Sequence, residues 1–155
     1  MSKPYLSKED AFKKLQHYCA YQDRCHSEVR TKLIKLGVYG DTLEEIMAEL
    51  IIERFLDEER FARSYCRGKF NLKKWGRMRI RQELKFRKVS AYCIKKGLSE
   101  IDEEAYRDTL THILHKKQNE YRRKYDDYNS RQKAAQYAFG RGYESNLIWE
   151  ILNEK

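Results

Sequence analysis

The sequence predicts an all-α protein of three tandem three-helix units forming an elongated, curved array. Apolar residues recur at helical spacing along the chain, and no segment shows a run of strand-like alternation. Glycine and proline are scarce, at seven and one in 155 residues, so little interrupts the helices beyond short turns. The apolar pattern also returns at a spacing of roughly 50 residues, the sign of stacked repeats that lean on their neighbours for a core.

The elements follow in order. Ser7 starts a first helix, with Glu9 and Asp10 favoured near its positive end. Its apolar face is Ala11, Phe12, Leu15, Tyr18 and Cys19. Ser27 caps a second helix through Val29, Leu33 and Leu36, which Gly37 stops. Thr42 and Glu45 form a capping-box pattern ahead of a third, whose stripe is Leu43, Ile46, Met47, Leu50 and Ile51. The round then repeats. Asp57 caps a helix with Phe61, Ala62, Tyr65 and Cys66 on one face. A basic connection leads to a helix with Ile80 and Leu84 inward, and Ser90 caps a short helix with Cys93 and Ile94. In the third round Asp102 precedes Tyr106, Leu110, Ile113 and Leu114. Helices with Ala134, Ala138 and Phe139, and with Leu147, Ile148, Ile151 and Leu152, complete it.

Val29 and Leu33 match Ile80 and Leu84 at an offset of 51, Val38 falls on Val89, and Gly142-Tyr143 falls on Gly37-Val38. The expected boundaries are 7–55, 56–100 and 101–155. A single irregular helical domain is the competing arrangement.

Charge is distributed unevenly. The formal net charge is +9, which favours an anionic partner. Residues 1–59 carry nine basic and twelve acidic side chains, and residues 97–155 carry ten and eleven. Residues 60–96 carry fourteen basic and one acidic. All the excess lies in that middle segment.

Within it, Arg67, Lys69, Lys73, Lys74, Trp75, Arg77, Arg79, Arg81, Lys85, Arg87 and Lys88 are the candidate nucleic-acid-binding residues. Ile80 and Leu84 define the buried seam of a helix, which sets Arg77, Arg81 and Lys88 on one outward stripe. Like charges three or four apart repel, and a polyanion relieves that repulsion while releasing counterions. A solvated basic face is the plain alternative, but only Glu83 balances the cations locally. Phe70 reads as core; Trp75 reads equally as core or as a base-stacking residue. Tyr121, Tyr125 and Tyr128, interleaved with Arg122, Arg123 and Lys124, are diluted by Asp126 and Asp127 and read as a solvent-facing connection.

Other chemistries find little support. Cys19, Cys25, Cys66 and Cys93 lack C-x-x-C spacing and read as reduced thiols. His112 and His115 stand three apart without a matching pair, so no metal or other cofactor is expected. No phosphate-cradling loop or nucleophile elbow occurs, and an enzyme is not expected. The opening Met1-Ser2-Lys3-Pro4-Tyr5 shows no secretory leader, and no stretch approaches a membrane span. The expectation is a cytoplasmic protein, monomeric, with no membrane partner.

Three strings of residues carry a resemblance: Ser27, Arg30, Lys32, Leu33 and Gly37; then Leu56-Asp57-Glu58-Glu59-Arg60-Phe61-Ala62-Arg63-Ser64-Tyr65; then Gly76-Arg77 followed by Arg79-Ile80-Arg81-Gln82-Glu83-Leu84. In these the chain resembles the RecX family of recombination regulators, over nearly its whole length and most strongly from 27 to 90. The resemblance implies tandem three-helix units and a partner, the RecA filament on DNA. Members of that family are understood to lodge in the filament groove, where they interfere with filament extension, strand exchange and coprotease activity. Two departures stand out: Lys88 occupies a position where a small residue usually ends the helix, and the stretch 118–128 is unusually rich in Tyr, Arg and Lys. A stand-alone nucleic-acid-binding module and an adaptor for acidic proteins are the alternatives in other classes.

Overall fold

A computed structural model describes residues 6–154; the opening Met1–Tyr5, read above as leaderless, lies outside the described residues. Among the described residues all regular structure is helical: α1 (Lys8–Tyr21), α2 (His26–Lys35), α3 (Gly40–Ile52), α4 (Glu58–Lys73), α5 (Arg77–Phe86), α6 (Ala91–Leu98), α7 (Glu103–Tyr121), α8 (Asp127–Gly140) and α9 (Ser145–Leu152). These make three successive rounds of three helices.

Side-chain caps set most helix starts. Ser7, Asp57, Ser90 and Asp102 accept from the backbone N–H of Asp10, Arg60, Cys93 and Ala105 at 3.1, 3.0, 3.2 and 2.9 Å. Each satisfies a donor the helix itself cannot. Two starts differ from the sequence expectation. Cys25, not Ser27, precedes α2, because Glu28 reaches back to the Cys25 N–H at 3.2 Å; the Ser27 hydroxyl instead donates to the Arg87 carbonyl at 3.0 Å. α3 begins at Gly40, which places Thr42 inside the first turn and frees Glu45 to pair with Lys8 at 2.8 Å.

The second helix of each round ends in the same turn. Val38, Val89 and Tyr143 donate to Leu33, Leu84 and Ala138, and Gly37, Lys88 and Gly142 donate to Ile34, Lys85 and Phe139. That double closure needs a left-handed residue. Gly37 and Gly142 supply it at φ +83° and +101°, whereas Lys88 adopts φ +62° with a side chain attached.

By contact the chain gathers into two compact units. One joins the residues up to Ser64 with Leu84–Gly97; the other joins Tyr65–Glu83 with the residues from Leu98 onward. The boundary runs through the middle round of helices. In the first unit Ala11, Leu15, Cys19, Val29, Leu33, Val38, Leu43, Ile46, Met47, Leu50 and Leu56 form one core. Ile51, the last of the expected stripe, stays exposed. In the second unit α7 packs along α8 and α9. Tyr106, Leu110 and Leu114 are fully buried, as are Ala134 and Ala138, whose small side chains suit close helix approach. Phe139, expected inward, is 55% exposed, one step round α8 from Ala138.

Burial also fixes the thiols. It raises the pKa of Cys19 to about 11 and of Cys66 to about 12, and pushes Cys25 and Cys93 upward too. The thiolate, the reactive form, is suppressed at neutral pH.

Candidate nucleic-acid interface

The basic residues fall into two groups: those whose charge is engaged inside the fold and those left at the surface. In the second unit α4 ends with Lys74 in the left-handed region, φ +57°, and Lys73 and Lys74 are both exposed. Their carbonyls are tied down: the Arg141 guanidinium donates to that of Lys73, and the Tyr143 hydroxyl donates to that of Lys74 at 2.9 Å. The backbone is thereby fixed, while neither ammonium group is in an ion pair among the described residues.

Arg77 stands elsewhere. Its guanidinium meets Glu103 and Glu144, each at 2.7 Å, and lies 4.0 Å from the Tyr106 ring centre. Its backbone N–H donates to the Tyr106 hydroxyl at 3.0 Å, and that hydroxyl donates to Glu144. Burial alone would lower the Arg77 pKa, but the hydrogen bond to Glu103 and the charge of Glu144 leave it raised. Burial, then the bond to Glu144, pushes the Tyr106 hydroxyl pKa up as well. Two carboxylates neutralise this arginine, so it braces the start of α5.

That start is packed unusually close. Gly76 N–H donates to the Arg141 carbonyl at 2.9 Å and Met78 N–H to the Gly142 carbonyl at 2.9 Å. A Cβ on Gly76 would lie 2.2 Å from the Gly142 carbonyl carbon, and one on Gly142 would lie 2.4 Å from Arg79 Cβ. Only glycine permits two backbones to meet in this way.

The remaining cations are placed as follows. Lys69 Nζ and the Arg79 guanidinium lie 4.8 and 4.0 Å from the Trp75 ring centre. The half-buried indole thus presents its ring to cations of its own chain, an attraction set by the ring quadrupole. Phe70 is buried, 5.7 Å from the Tyr106 ring, as core. Arg67 pairs with Glu100 at 3.2 Å. Arg81 is exposed with no ion pair among the described residues.

In the first unit, Lys85 and Lys88 are exposed and Arg87 is half-buried. The expected stripe of Arg77, Arg81 and Lys88 does not form. Arg77 is turned to carboxylates, and α5 stops at Phe86, so Lys88 sits in the left-handed turn beyond it. Of the three, Arg81 alone remains an outward cation on the helix. Sequence reasoning also passed over Phe86, 84% exposed beside Lys85. Its place opposite the Ile80–Leu84 seam was the available signal.

Among the described residues no helix is long and apolar enough to cross a membrane, and no three His, Cys, Asp or Glu side chains converge as metal ligands.

Comparison with known proteins gives a consistent result. The model of the second three-helix domain of RecX matches residues 57–98, and that of the third matches 104–152. Together they cover more than half of the chain. The regulatory protein RecX of Prosthecochloris aestuarii is 28% identical over 137 residues, 88% of this chain and 87% of that protein. That of Bacillus cytotoxicus is 27% identical over 137 residues, 88% of this chain and 50% of that protein. The chain therefore spans about half the length of such Bacillus relatives. The crystal structure of RecX from Lactobacillus salivarius superimposes with a TM-score of 0.85, covering 94% of each chain at 22% identity. That likeness concerns the fold.

Proposed function

The chain belongs to the RecX family, and from that premise we propose that it regulates the RecA recombinase by binding in the groove of the RecA–DNA filament. In this reading it inhibits recombinase activity, acts in DNA repair and recombination within the SOS response, works in the cytoplasm as a monomer, and catalyses nothing itself. The observation that carries the proposal is the set of exposed cations in the middle segment with no carboxylate partner among the described residues: Lys73, Lys74 and Arg81, and, past the seam of α5, Lys85 and Lys88. Phosphates supply the missing counter-charge, and release of their condensed ions drives the contact. Arg77 falls outside this set because Glu103 and Glu144 already hold it. Lys69, Trp75 and Arg79 act as one preassembled cationic surface. The division into rounds 7–55, 56–100 and 101–155 belongs to the same reading, with the acidic flanking rounds meeting protein and the basic middle meeting DNA.

The test is RecA-dependent ATP hydrolysis and strand exchange, measured with the chain and with a Lys73→Ala, Lys74→Ala, Arg81→Ala variant. Wild type is expected to suppress both reactions while hydrolysing no ATP alone. On duplex DNA, log affinity should fall with log salt at a slope of roughly −4 to −5, about −0.9 per phosphate. The triple variant should flatten that slope by about two to three with helicity unchanged, since all three side chains are exposed. Salt-dependent binding to DNA with RecA unaffected would favour a stand-alone nucleic-acid-binding module instead.

A further inference from the structure

The first 59 residues carry a net negative charge, yet one place in the first unit reverses it. The acids of that segment are largely engaged: Glu45 with Lys8, Glu44 with Arg30, and Asp23 with Arg60. A cleft of about 550 Å³ opens beside the C-terminal half of α1 and is lined by Lys14, His17, Tyr18, Tyr21, Arg24 and Lys32. Lys14, Tyr18 and Tyr21 stand four and three apart, on one face of α1. Lys32 comes from α2 and Arg24 from the connection between the two helices.

The two tyrosines are used differently. The Arg24 guanidinium lies 3.7 Å from the Tyr18 ring centre and Lys32 Nζ lies 5.6 Å from it. Arg24 also donates to the Tyr18 carbonyl at 3.0 Å and is paired with Glu28 at 3.6 Å. Tyr18 therefore organises the cations. Tyr21 is 83% exposed. Lys14 and Lys32 have no carboxylate partner among the described residues. The cleft thus offers two uncompensated ammonium groups and an uncovered aromatic face.

We propose that this cleft binds a nucleoside-phosphate unit, with Lys14 and Lys32 on the phosphate and the base stacked on Tyr21. Both features are then used at once: an acidic side chain would satisfy the lysines and leave the ring bare. The base must be unstacked to reach Tyr21, so the unit is a link of a single strand or a free nucleotide, and not part of a duplex. This site is separate from the basic middle segment and stands or falls independently of it.

The direct test is photocross-linking of a single-stranded oligonucleotide carrying 5-iodouracil to the full chain, with the adduct mapped by peptide mass spectrometry. Expected is an adduct on Tyr21 that persists in the Lys73→Ala, Lys74→Ala, Arg81→Ala variant and disappears with Lys14→Ala, Lys32→Ala. Tyr21→Ala should weaken single-strand binding about fivefold or more, while Tyr21→Phe keeps it, because stacking needs the ring alone. The two lysine substitutions should flatten the single-strand salt slope by about 1.4, at about 0.7 per phosphate. A saturable shift of the Tyr21 ring protons by thymidine monophosphate, absent with poly-glutamate, would assign the site to free nucleotide. The oligonucleotide adduct without that shift would assign it to a strand. Neither adduct nor shift at Tyr21, or single-strand binding indifferent to Tyr21→Ala, overturns the proposal. So does poly-glutamate displacing the oligonucleotide from a Tyr21→Ala chain as readily as from wild type.

Discussion

Each unit contains a junction where the start of a second helix meets a later turn, and the two are built from different chemistry on one plan. In the first unit His26 sits at the start of α2, 3.1 Å from Glu58, and the same carboxylate accepts the Ser90 N–H at 2.7 Å. In the second unit Arg77 opens α5 at the position 51 residues on, and meets both Glu103 and Glu144. The first is a small, partly exposed contact with a single carboxylate. The second is a bidentate cation between two carboxylates, closed by a buried tyrosine and by two glycines whose backbones touch. A repeat preserves where a contact falls, while the residues placed there decide how much it holds.

The largest expected difference lies in the glycines. Gly37 and Gly142 occupy the same turn of their rounds with positive φ, but a Cβ at Gly37 meets nothing within 4 Å, while one at Gly142 would strike Arg79. Gly37→Ala should cost about 1 kcal/mol, the strain of a left-handed alanine. Gly142→Ala adds overpacking and should cost about 3 kcal/mol or more. Gly76→Ala should resemble it. Urea unfolding of the full chain measures all three, and equal losses at Gly37 and Gly142 would remove the distinction between the junctions.

The cations come next. Arg77→Ala removes the counter-charge of Glu103 and Glu144 and the cation over the Tyr106 ring, while its backbone N–H still reaches the Tyr106 hydroxyl. It should destabilise by about 2–3 kcal/mol. His26→Ala should cost under about 1 kcal/mol, since Glu58 keeps the Ser90 N–H and the pair is partly exposed. A double-mutant cycle of Arg77 with Glu144 should show clear coupling, and that of His26 with Glu58 little.

The second unit also sets an alkaline limit. Burial raises the pKa of Tyr106 and Tyr143. A group whose folded pKa lies above its unfolded value contributes stability below the unfolded pKa and loses it as pH rises through the folded one. The unfolded value for tyrosine is about 10, and the raised thiols of Cys19 and Cys66 act in the same direction from about 8.5. The urea midpoint should stay level from neutral pH to about pH 8.5 in this respect and then fall. A midpoint rising above pH 10 would contradict the burial of these groups.

The smallest effect is a gain. Lys88 fills the place of Gly37 and Gly142 with φ +62°, so Lys88→Gly should stabilise by up to about 1 kcal/mol, a rise of about 2–4 °C in Tm. Unchanged or lowered stability would mean that the lysine stem offsets the strain.

These cases also mark what could be read from the sequence. The helix faces were legible because burial imposes a period on apolar residues: Leu15, Leu33, Leu50, Ile80, Leu84 and Leu110 are all fully buried. The caps at Ser7, Asp57, Ser90 and Asp102 were legible because a short polar side chain before a helix can accept a free N–H, but Ser27 and Thr42 carried the same signal from inside α2 and α3. Turns were legible where glycine marked them, at 37 and 142, and at Lys88 only through the repeat and the resemblance; they were silent at Arg54 and Lys74, which adopt positive φ without a telltale residue. The candidate site was legible as a concentration of charge. Its internal partition was not, because Arg77 and Arg81 look alike in one dimension, and Glu103 and Glu144 lie 26 and 67 residues from the arginine they neutralise. The third round's membership was faint by motif, since the three strings that carry the resemblance all lie before residue 90, yet 104–152 matches the third domain of RecX.

Regulation of a recombinase filament requires a joint surface of protein and phosphate, which is tested by the affinity for RecA-coated single-stranded DNA compared with the same naked strand at matched salt. Linked contacts to protein and phosphate raise overall affinity beyond either alone. Tighter binding to the filament is expected, with the Lys73→Ala, Lys74→Ala, Arg81→Ala variant weakened on both targets but still preferring the filament. Equal affinity for filament and naked strand, with RecA activity unchanged, would contradict it.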